Sequence, residues 1–279
     1  MIRRLKQGRL AGDMRFQSVR ANGIQMRCVV EGPPSAQALL LCNGLATDLE
    51  LWEPQVSEFS KAYRVIRYDT RGHGGTSTSP PPYSLSLLVE DLRSLLDALG
   101  VDQVHFAGMS LGGMIGQAFA VRYPHRLRSL VLCDTSARTR REIWEGRIQQ
   151  VELEGVEPMI EPSIARWFTK PFRDANPALM DEIRQMIRRV SKDGYLGGAR
   201  VVMEMDHVAQ LAKISTPTLV IVGREDGSTP VADAQLMHEH ITGSTLCVID
   251  NAAHLPNLER PAEFNRVLNQ FLSRLDASP

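Results

Sequence analysis

A serine that could act as a nucleophile lies in Gly108-Met109-Ser110-Leu111-Gly112-Gly113. The apolar run Val104–Ala107 precedes it and a helix-like stretch follows, so the segment predicts a strand, a sharp turn and a helix. Glycines around Ser110 let the strand and the helix approach closely, and the turn pushes the hydroxyl out above the sheet edge. The pattern therefore predicts acyl transfer through Ser110.

A serine hydroxyl is hardly ionised at neutral pH and needs a base. His254 is the best candidate of the seven histidines, because it follows the last apolar run in a loop that can reach the serine. His73, in a glycine-rich turn, is better explained as a hydrogen-bonded loop residue. His238 and His240 fall on different faces of one helix, so we expect no metal site there. The remaining histidines are interpreted as structural: His105, His125 and His207.

The base needs a carboxylate that orients the ring and stabilises the imidazolium. Asp226, in Gly223-Arg224-Glu225-Asp226, comes directly after an apolar run and is our first candidate. Its neighbour Glu225 could compete, and Asp134 could replace it from the end of another run. The order serine, aspartate, histidine is that of one group of hydrolases in which these residues follow strands of an α/β sheet.

The oxyanion of a tetrahedral intermediate needs two N–H donors. We expect one from Leu111, at the start of the helix after Ser110, where the helix dipole also favours negative charge. The other is expected from Leu45, in the loop Cys42-Asn43-Gly44-Leu45-Ala46, where Gly44 permits a close approach of the backbone. The alternative is that this loop is only a tight turn.

Eight apolar runs could form the strands that position these residues. Several are continuously apolar, as buried parallel strands require, and helix-like stretches separate the later ones. Asn22-Gly23 between the first two runs indicates a hairpin, so we expect a mostly parallel eight-stranded sheet with an antiparallel edge. The runs are Phe16–Ala21, Gln25–Glu31, Ala38–Cys42, Arg64–Tyr68, Val104–Ala107, Ser129–Cys133, Thr218–Val222 and Thr245–Ile249.

The alternation of strands and helices stops after the sixth run. Residues 137–213 contain helical patterns, among them Pro177–Val190, and no convincing strand. We interpret them as a helical cap over the carboxyl edge of the sheet, where open α/β sheets bind ligands. The core then comprises residues 15–136 and 214–279, and residues 1–14 form a flexible basic arm.

Composition restricts the class of partner. Lys plus Arg equals Asp plus Glu, at 32 each in 279 residues, so no charge field suggests nucleic acid. No apolar run is long enough to span a membrane, and no apolar segment follows the basic start as in a signal peptide. Four cysteines without C-x-x-C spacing are interpreted as free core residues. We expect a cytoplasmic protein that acts on a small molecule without metal or cofactor, in an unknown oligomeric state.

Beyond these motifs, the sequence resembles α/β-hydrolases, and more closely the 3-oxoadipate enol-lactonases. The similarity rests on Leu41–Leu49 with Trp52, on Arg67–Gly74, on Leu132–Thr135 and on Ser163–Thr169. It extends from about residue 16 to the C-terminus. The resemblance implies an α/β-hydrolase fold with a cap after the sixth strand, and hydrolysis of a cyclic enol-lactone that carries a carboxylate.

The same resemblance implies substrate-binding residues in the cap. Trp144 and Arg147 match a tryptophan and an arginine that hold the substrate carboxylate in that family, and three residues of spacing put both on one helix face. The alternative is a surface arginine beside a core tryptophan. Trp167 is the third candidate. The chain departs from the family pattern at Gly44 and Ala46, where serine and glycine are usual, and at Leu111, where methionine is frequent.

We therefore predict a serine hydrolase that cleaves an ester or lactone through an acyl-enzyme, most like an enol-lactonase. A broad carboxylesterase or an acyl-homoserine lactonase would carry the same motifs. A cofactor-free haloperoxidase or perhydrolase and a carbon–carbon hydrolase also remain open. A further alternative, of another class, is a ligand receptor on this fold that has kept its triad.

Overall fold

The computed structural model describes residues 16–276, so the predicted basic arm lies outside the described residues. One eight-stranded sheet in the order β1-β2-β4-β3-β5-β6-β7-β8 forms its centre. β1, β2 and β4 pair antiparallel and all other neighbours pair parallel, which confirms the predicted mostly parallel sheet with a hairpin at its edge. The strands are β1 Phe16–Ala21, β2 Ile24–Glu31, β3 Ala38–Cys42, β4 Arg64–Tyr68, β5 Val104–Met109, β6 Leu127–Cys133, β7 Thr218–Gly223 and β8 Thr245–Ile249.

Predicted and observed strand bounds differ by at most two residues. β5 extends through Gly108 and Met109, because these residues still pair with Leu132 and Cys133 of β6. Every residue of β3, β5 and β7 is buried, as expected for strands covered by helices on both faces. In contrast, β8 is an edge strand with partly exposed residues. Cys247 of β8 is half-buried and packs against the core, whereas the other three cysteines are buried within it; all four are free.

Helices cover both faces of the sheet. Ser84 begins the second helix by accepting a hydrogen bond from the N–H of Leu87, and leucines on one face of that helix are buried. The helices are α1 Glu53–Phe59, α2 Leu85–Ala98, α3 Leu111–Arg122, α4 Arg141–Glu154, α5 Ile160–Trp167, α6 Lys170–Ala175, α7 Pro177–Arg188, α8 Lys192–Met203, α9 Val231–His240, α10 Pro256–Glu259 and α11 Pro261–Asp276. None of the described helices is long and apolar enough to cross a membrane.

The chain direction across the sheet reverses at β3, which pairs with β4 on one side and β5 on the other. From β5 the strands then continue outward in sequence order. A crevice opens at such a reversal, just beyond the carboxyl ends of the strands. The loop after β3 and the turn at Ser110 after β5 therefore lie side by side at this edge.

Five helices, α4–α8, connect β6 to β7. Contacts with the loops after β3 and β4 hold them against the rest of the molecule. The guanidinium of Arg189, after α7, contacts the buried carboxylate of Asp48 at 2.5 Å. The backbone N–H of Ser191 donates to the carbonyl of Gly72, and a Cβ on Gly72 would lie 2.3 Å from the Cα of Gly194. This close approach between two glycines lets α8 pack against the loop after β4.

Candidate active site

Ser110 lies in a strained turn between β5 and α3. Its φ is 53°, a left-handed conformation that non-glycine residues rarely adopt. A Cβ on Gly108 would be 2.4 Å from the carbonyl oxygen of Gly112, and a Cβ on Gly112 would be 2.5 Å from that of Cys42. Only glycine fits at both positions. The two glycines therefore allow β5 and α3 to pack closely at the turn, and this packing holds Ser110 at the sheet edge.

The structure brings the second and third predicted residues together. His254, in the loop after β8, donates from Nδ1 to Oδ2 of Asp226, in the loop after β7, at 2.8 Å. Both side chains are almost fully buried. This hydrogen bond leaves Nε2 as the ring nitrogen that can accept a proton. Ser110 and His254 line the same cavity.

Asp226 is held ionised by its surroundings. Its Oδ1 accepts from the N–H groups of Ser228 and Thr229, and its Oδ2 also accepts from Oγ1 of Thr229 at 2.6 Å. Burial alone would raise the pKa of Asp226, but the charge of the His254 ring and these hydrogen bonds lower it below the usual value. The arrangement orients the imidazole and stabilises its protonated form.

The two residues predicted to donate N–H groups to the oxyanion both lie close to Ser110. Leu45 lies in the loop after β3, where a Cβ on Gly44 would be 3.3 Å from Cβ of Ser110. Leu111 is the first residue of α3, so its N–H has no partner within the helix. Among the described residues the structure records no acceptor for the N–H of Leu45. Ala46 has a φ of 62°, a conformation that favours glycine and that explains why the family resemblance predicts glycine there.

Asp134, the alternative acid, lies beside Asp226 rather than in its place. Its Oδ1 accepts from the N–H of Gly223, and it belongs to a cluster with Asp226 and His254 in which one donor atom of each lies within 4.8 Å of the others. Within residues 16–276, this cluster is the only group of three or more His, Cys, Asp or Glu side chains close enough together to hold a metal ion. Oδ1 of Asp134 accepts a hydrogen bond, and Asp226 and His254 bond to each other, whereas Oδ2 of Asp134 has no donor in the described part of the chain.

A cavity of about 350 Å³ lies over Ser110, a size suited to a small molecule. Residues at the sheet edge line one side, here called the sheet side: Gly44, Leu45, Ser110 and His254. Helices α4, α5 and α8 line the other, here called the helix side: Trp144, Arg147, Arg166, Trp167 and Tyr195. The three residues predicted to bind substrate are thus all on the helix side.

Arg147 stacks on the residue predicted to accompany it. Its guanidinium carbon lies 4.6 Å from the ring centroid of Trp144, one turn earlier on α4. Within residues 16–276 no carboxylate forms an ion pair with Arg147. Burial lowers the pKa of Arg147, which is the electrostatic consequence of a half-buried cation without a counter-ion.

A second arginine on the helix side was not predicted. Arg166, on α5, donates to Oγ of Ser163 at 3.2 Å, while its buried Nε has no hydrogen-bond partner in the described part of the chain. Burial, and then the charge of Arg147, lower the pKa of Arg166 to about 10. Tyr195 interacts electrostatically with both arginines. The position of Arg166 next to Trp167 in the motif was the only signal in the sequence.

Trp167 contributes to the site in two ways. Its side chain lines the cavity, and its carbonyl accepts from the N–H of Leu255, next to His254. A buried glutamate makes a parallel connection that the sequence did not reveal: Glu259 accepts from the N–H of Ala253 and from the N–H and hydroxyl of Thr169. These bonds tie the end of α5 to the loop that carries His254.

The remaining histidines lie outside the cavity. His73 is buried and donates from Nδ1 to the carbonyl of Arg71, as the interpretation of a hydrogen-bonded loop residue implied. His238 and His240 are exposed and bond to Ser244 and to a backbone carbonyl respectively. His105 lies in β5 and contacts Ser129.

Comparison with known proteins gives a consistent family. A family model for the alpha/beta hydrolase fold matches residues 37–261. The chain is 35% identical over 257 residues to 3-oxoadipate enol-lactonase 2 of Acinetobacter baylyi, which covers 92% of this chain and 96% of the relative.

Solved structures agree with the sequence match. An enol-lactonase from Burkholderia xenovorans LB400 superimposes with a TM-score of 0.89 at 32% identity, covering 93% of this chain and 100% of the other. A hydrolase from Pseudomonas aeruginosa PA01 has the same TM-score, 0.89, at 35% identity, covering 94% of this chain and 99% of the other. The likeness therefore includes both the sheet and the helices between β6 and β7.

Proposed function

The chain belongs to the α/β-hydrolase family, and from this premise we propose that it is a serine hydrolase that opens a small lactone or ester carrying a carboxylate. The observation that carries the proposal is a single cavity with Ser110 and His254 on its sheet side and two arginines without carboxylate partners on its helix side. The similarity to enol-lactonases supports the same substrate class.

The chemistry proposed is acyl transfer to water. Oγ of Ser110 attacks the carbonyl carbon while Nε2 of His254 takes the hydroxyl proton, and the N–H groups of Leu45 and Leu111 stabilise the oxyanion. Collapse of the intermediate breaks the ring C–O bond, and the leaving oxygen receives the proton from His254. Water then attacks the acyl-serine and gives a proton to Nε2 of His254, which passes it to Oγ of Ser110 as the bond from Oγ to the acyl carbon breaks and the acid is released.

Arg147 and Arg166 are proposed to bind the substrate's anionic group. Two half-buried cations side by side repel each other, and each loses hydration, so an anion between them relieves both costs. Trp144 and Trp167 provide flat apolar surfaces for the ring. We further propose that residues 137–213, which include all four side chains, act as a cap that selects the substrate.

The nucleophile is tested by replacing Ser110 with alanine. We expect kcat/KM for an activated aryl ester and for an anionic enol-lactone to fall by about 10⁵-fold or more in Ser110→Ala, as for single deletions within a catalytic unit. Ser136 lines the same cavity and provides the matched control, Ser136→Ala, with turnover within about threefold of wild type. Turnover that persists in purified Ser110→Ala would disprove the assignment.

The substrate class is tested by one chemical change. An enol-lactone with a free carboxylate and its methyl ester have the same ring, so their kcat/KM ratio isolates the charge. We expect the carboxylate form to be preferred by about 10²-fold, equivalent to about 3 kcal/mol. Equal rates would point to a broad carboxylesterase. Binding of the lactone with a rise in melting temperature but no turnover would point to a receptor.

A further inference from the structure

A second carboxyl group, that of Asp134, is buried next to Asp226. It follows β6, and its φ of 41° is held by a hydrogen bond from its N–H to the carbonyl of Ile221. Its side chain is 1% exposed, and its Oδ1 accepts from the N–H of Gly223. Its Oδ2 has no donor among the described residues. A buried carboxylate oxygen without a donor is costly, so its protonation state has to be explained.

The groups that face Asp134 from all packed elements favour its neutral form. Asp226 brings negative charge from the loop after β7 and Glu259 brings it from α10, and the neighbouring Cys133 is a buried thiol. Burial first, and then the charge of Asp226, raise the pKa of Asp134 well above its usual value, whereas His254 and hydrogen bonds lower that of Asp226. Two adjacent carboxyl groups in a dry site cannot both ionise at low cost.

We propose that Asp134 and Asp226 share one negative charge, with Asp226 ionised against His254 and Asp134 kept neutral by a proton on Oδ2. This inference rests on the proposed triad. Oδ2 then becomes a donor towards Asp226 and is no longer an acceptor without a partner. Asp134 is a positioning residue in the intact site, since it touches neither substrate nor reacting atoms.

The shared charge has a consequence for variants that lack Asp226. Without Asp226, the like charge that opposes ionisation of Asp134 is gone. Burial still opposes ionisation, but one oxygen of Asp134 is within 4.8 Å of a nitrogen of His254, and the positive charge of the imidazolium offsets that cost. Asp134 then ionises and stabilises the imidazolium in place of Asp226. The acid function is thereby held by a pair of carboxyl groups from β6 and β7.

A double-mutant cycle on turnover of an aryl ester tests this exchange. We expect Asp134→Asn alone to lower kcat by about two- to fivefold, and Asp226→Ala alone by about 10²-fold. The double variant should lose about 10⁴-fold, the loss found where no carboxylate orients the histidine. Glu225 is exposed and adjacent to Asp226, so Glu225→Gln in the Asp226→Ala background is the matched control and should add nothing.

A purely structural role for Asp134 predicts a different result. Asp134→Asn would then lower kcat by the same factor with and without Asp226, and this outcome would overturn the proposal. The acid limb of the kcat/KM profile gives a second measure. In Asp134→Asn the midpoint of this limb should stay within about 0.3 pH units of the wild-type value. If Asp134 were instead ionised beside His254, removal of its negative charge would move the midpoint to lower pH by about one unit.

Infrared spectroscopy tests the proton without relying on turnover or on Asp134→Asn folding. The wild type at pH 7 should contain the C=O stretch of a protonated aspartate, and Asp226→Ala should lose it because Asp134 has ionised. A band that stays in Asp226→Ala would overturn the inference. If the wild type hydrolyses no ester but the band behaves as described, the proposed function fails and the shared charge stands.

Discussion

The sheet side and the helix side of the cavity differ in whether the protein supplies partners for their charged groups. On the sheet side, Asp226 accepts four hydrogen bonds and His254 is held by one of them. On the helix side, Arg147 and Arg166 face the cavity with no carboxylate partner in the described chain. The proposed chemistry is therefore preorganised by the protein itself, while the proposed specificity depends on a charge that the substrate must supply.

Such a division between the two sides lets one fold serve many substrates. A preorganised sheet side stabilises the transition state of any acyl transfer, because its hydrogen bonds do not depend on the rest of the substrate. The arginines on the helix side have lost part of their hydration before a ligand binds. Only an anion of suitable shape offsets the free energy of this desolvation. Substitutions on the two sides should consequently differ in whether their effects depend on substrate charge.

The largest effect is expected for His254→Ala. Loss of the base should lower kcat by about 10⁵- to 10⁶-fold for the anionic lactone and for its neutral methyl ester alike. Steady-state kinetics on both substrates measures this, with the exposed His238→Ala as control. A loss confined to one substrate would contradict the assignment of His254 to the common chemistry.

Replacement of an arginine should separate the two substrates. In Arg166→Met we expect kcat/KM for the anionic lactone to fall by about 30- to 300-fold, or about 2–3.5 kcal/mol, with the neutral ester within about threefold. Arg147→Met should behave similarly, and the double variant should show less than the sum because both contact one anion. Arg184, paired with Glu161 on the surface, gives the control Arg184→Met. Equal losses on both substrates would show a structural role.

The dry packing at the sheet edge also predicts a pH response through His73. Burial lowers the pKa of His73 to about 4, below the value of about 6.5 in an unfolded chain. The unfolded state thus binds a proton that the folded state does not, so stability is full above pH 6.5 and falls as pH decreases towards 4. From pH 7 to pH 5 this group should cost about 2 kcal/mol of unfolding free energy.

His73→Asn keeps a donor for the carbonyl of Arg71 and does not titrate in this range. Urea unfolding at pH 7 and pH 5 should therefore show a smaller loss of stability in this variant, by about 2 kcal/mol. His240 also donates from Nδ1 to a carbonyl but is exposed, so His240→Asn should keep the wild-type pH dependence. Identical pH dependence in His73→Asn and wild type would contradict the prediction.

The smallest effect is expected at Ala46, in the loop that carries Leu45. Its φ of 62° costs an alanine about 1 kcal/mol, and glycine would recover this but lose some of it to unfolded-chain entropy. Ala46→Gly should raise the free energy of unfolding by about 0.5 kcal/mol. Ala234→Gly, within helix α9, should instead lower it by about 1 kcal/mol. Urea unfolding measures both, and a loss of stability in Ala46→Gly would show that the loop is unstrained.

The two sides also differ in how far the sequence predicted them. The eight strands were recognised because buried parallel strands are continuously apolar. Ser110 was recognised because Gly108 and Gly112, two residues before and after it, lie where no side chain fits. Asp226 and His254 were found because loops at the ends of parallel strands meet at one edge. On the helix side, Arg166 and Tyr195 were missed, since helix packing brings them together from separate segments without a common spacing. Glu259, which ties the end of α5 to the loop of His254, was missed for the same reason.

The order of strands and helices, and the residues on which the proposed chemistry depends, could be predicted because they follow local rules of periodicity and turn geometry. Tertiary packing, in contrast, placed Asp134 beside Asp226 as a second buried carboxyl group. It also decided that Arg166 joins Arg147 at the cavity without a carboxylate partner in the described chain. Burial and distance set the charge of such groups, and both are properties of the folded chain.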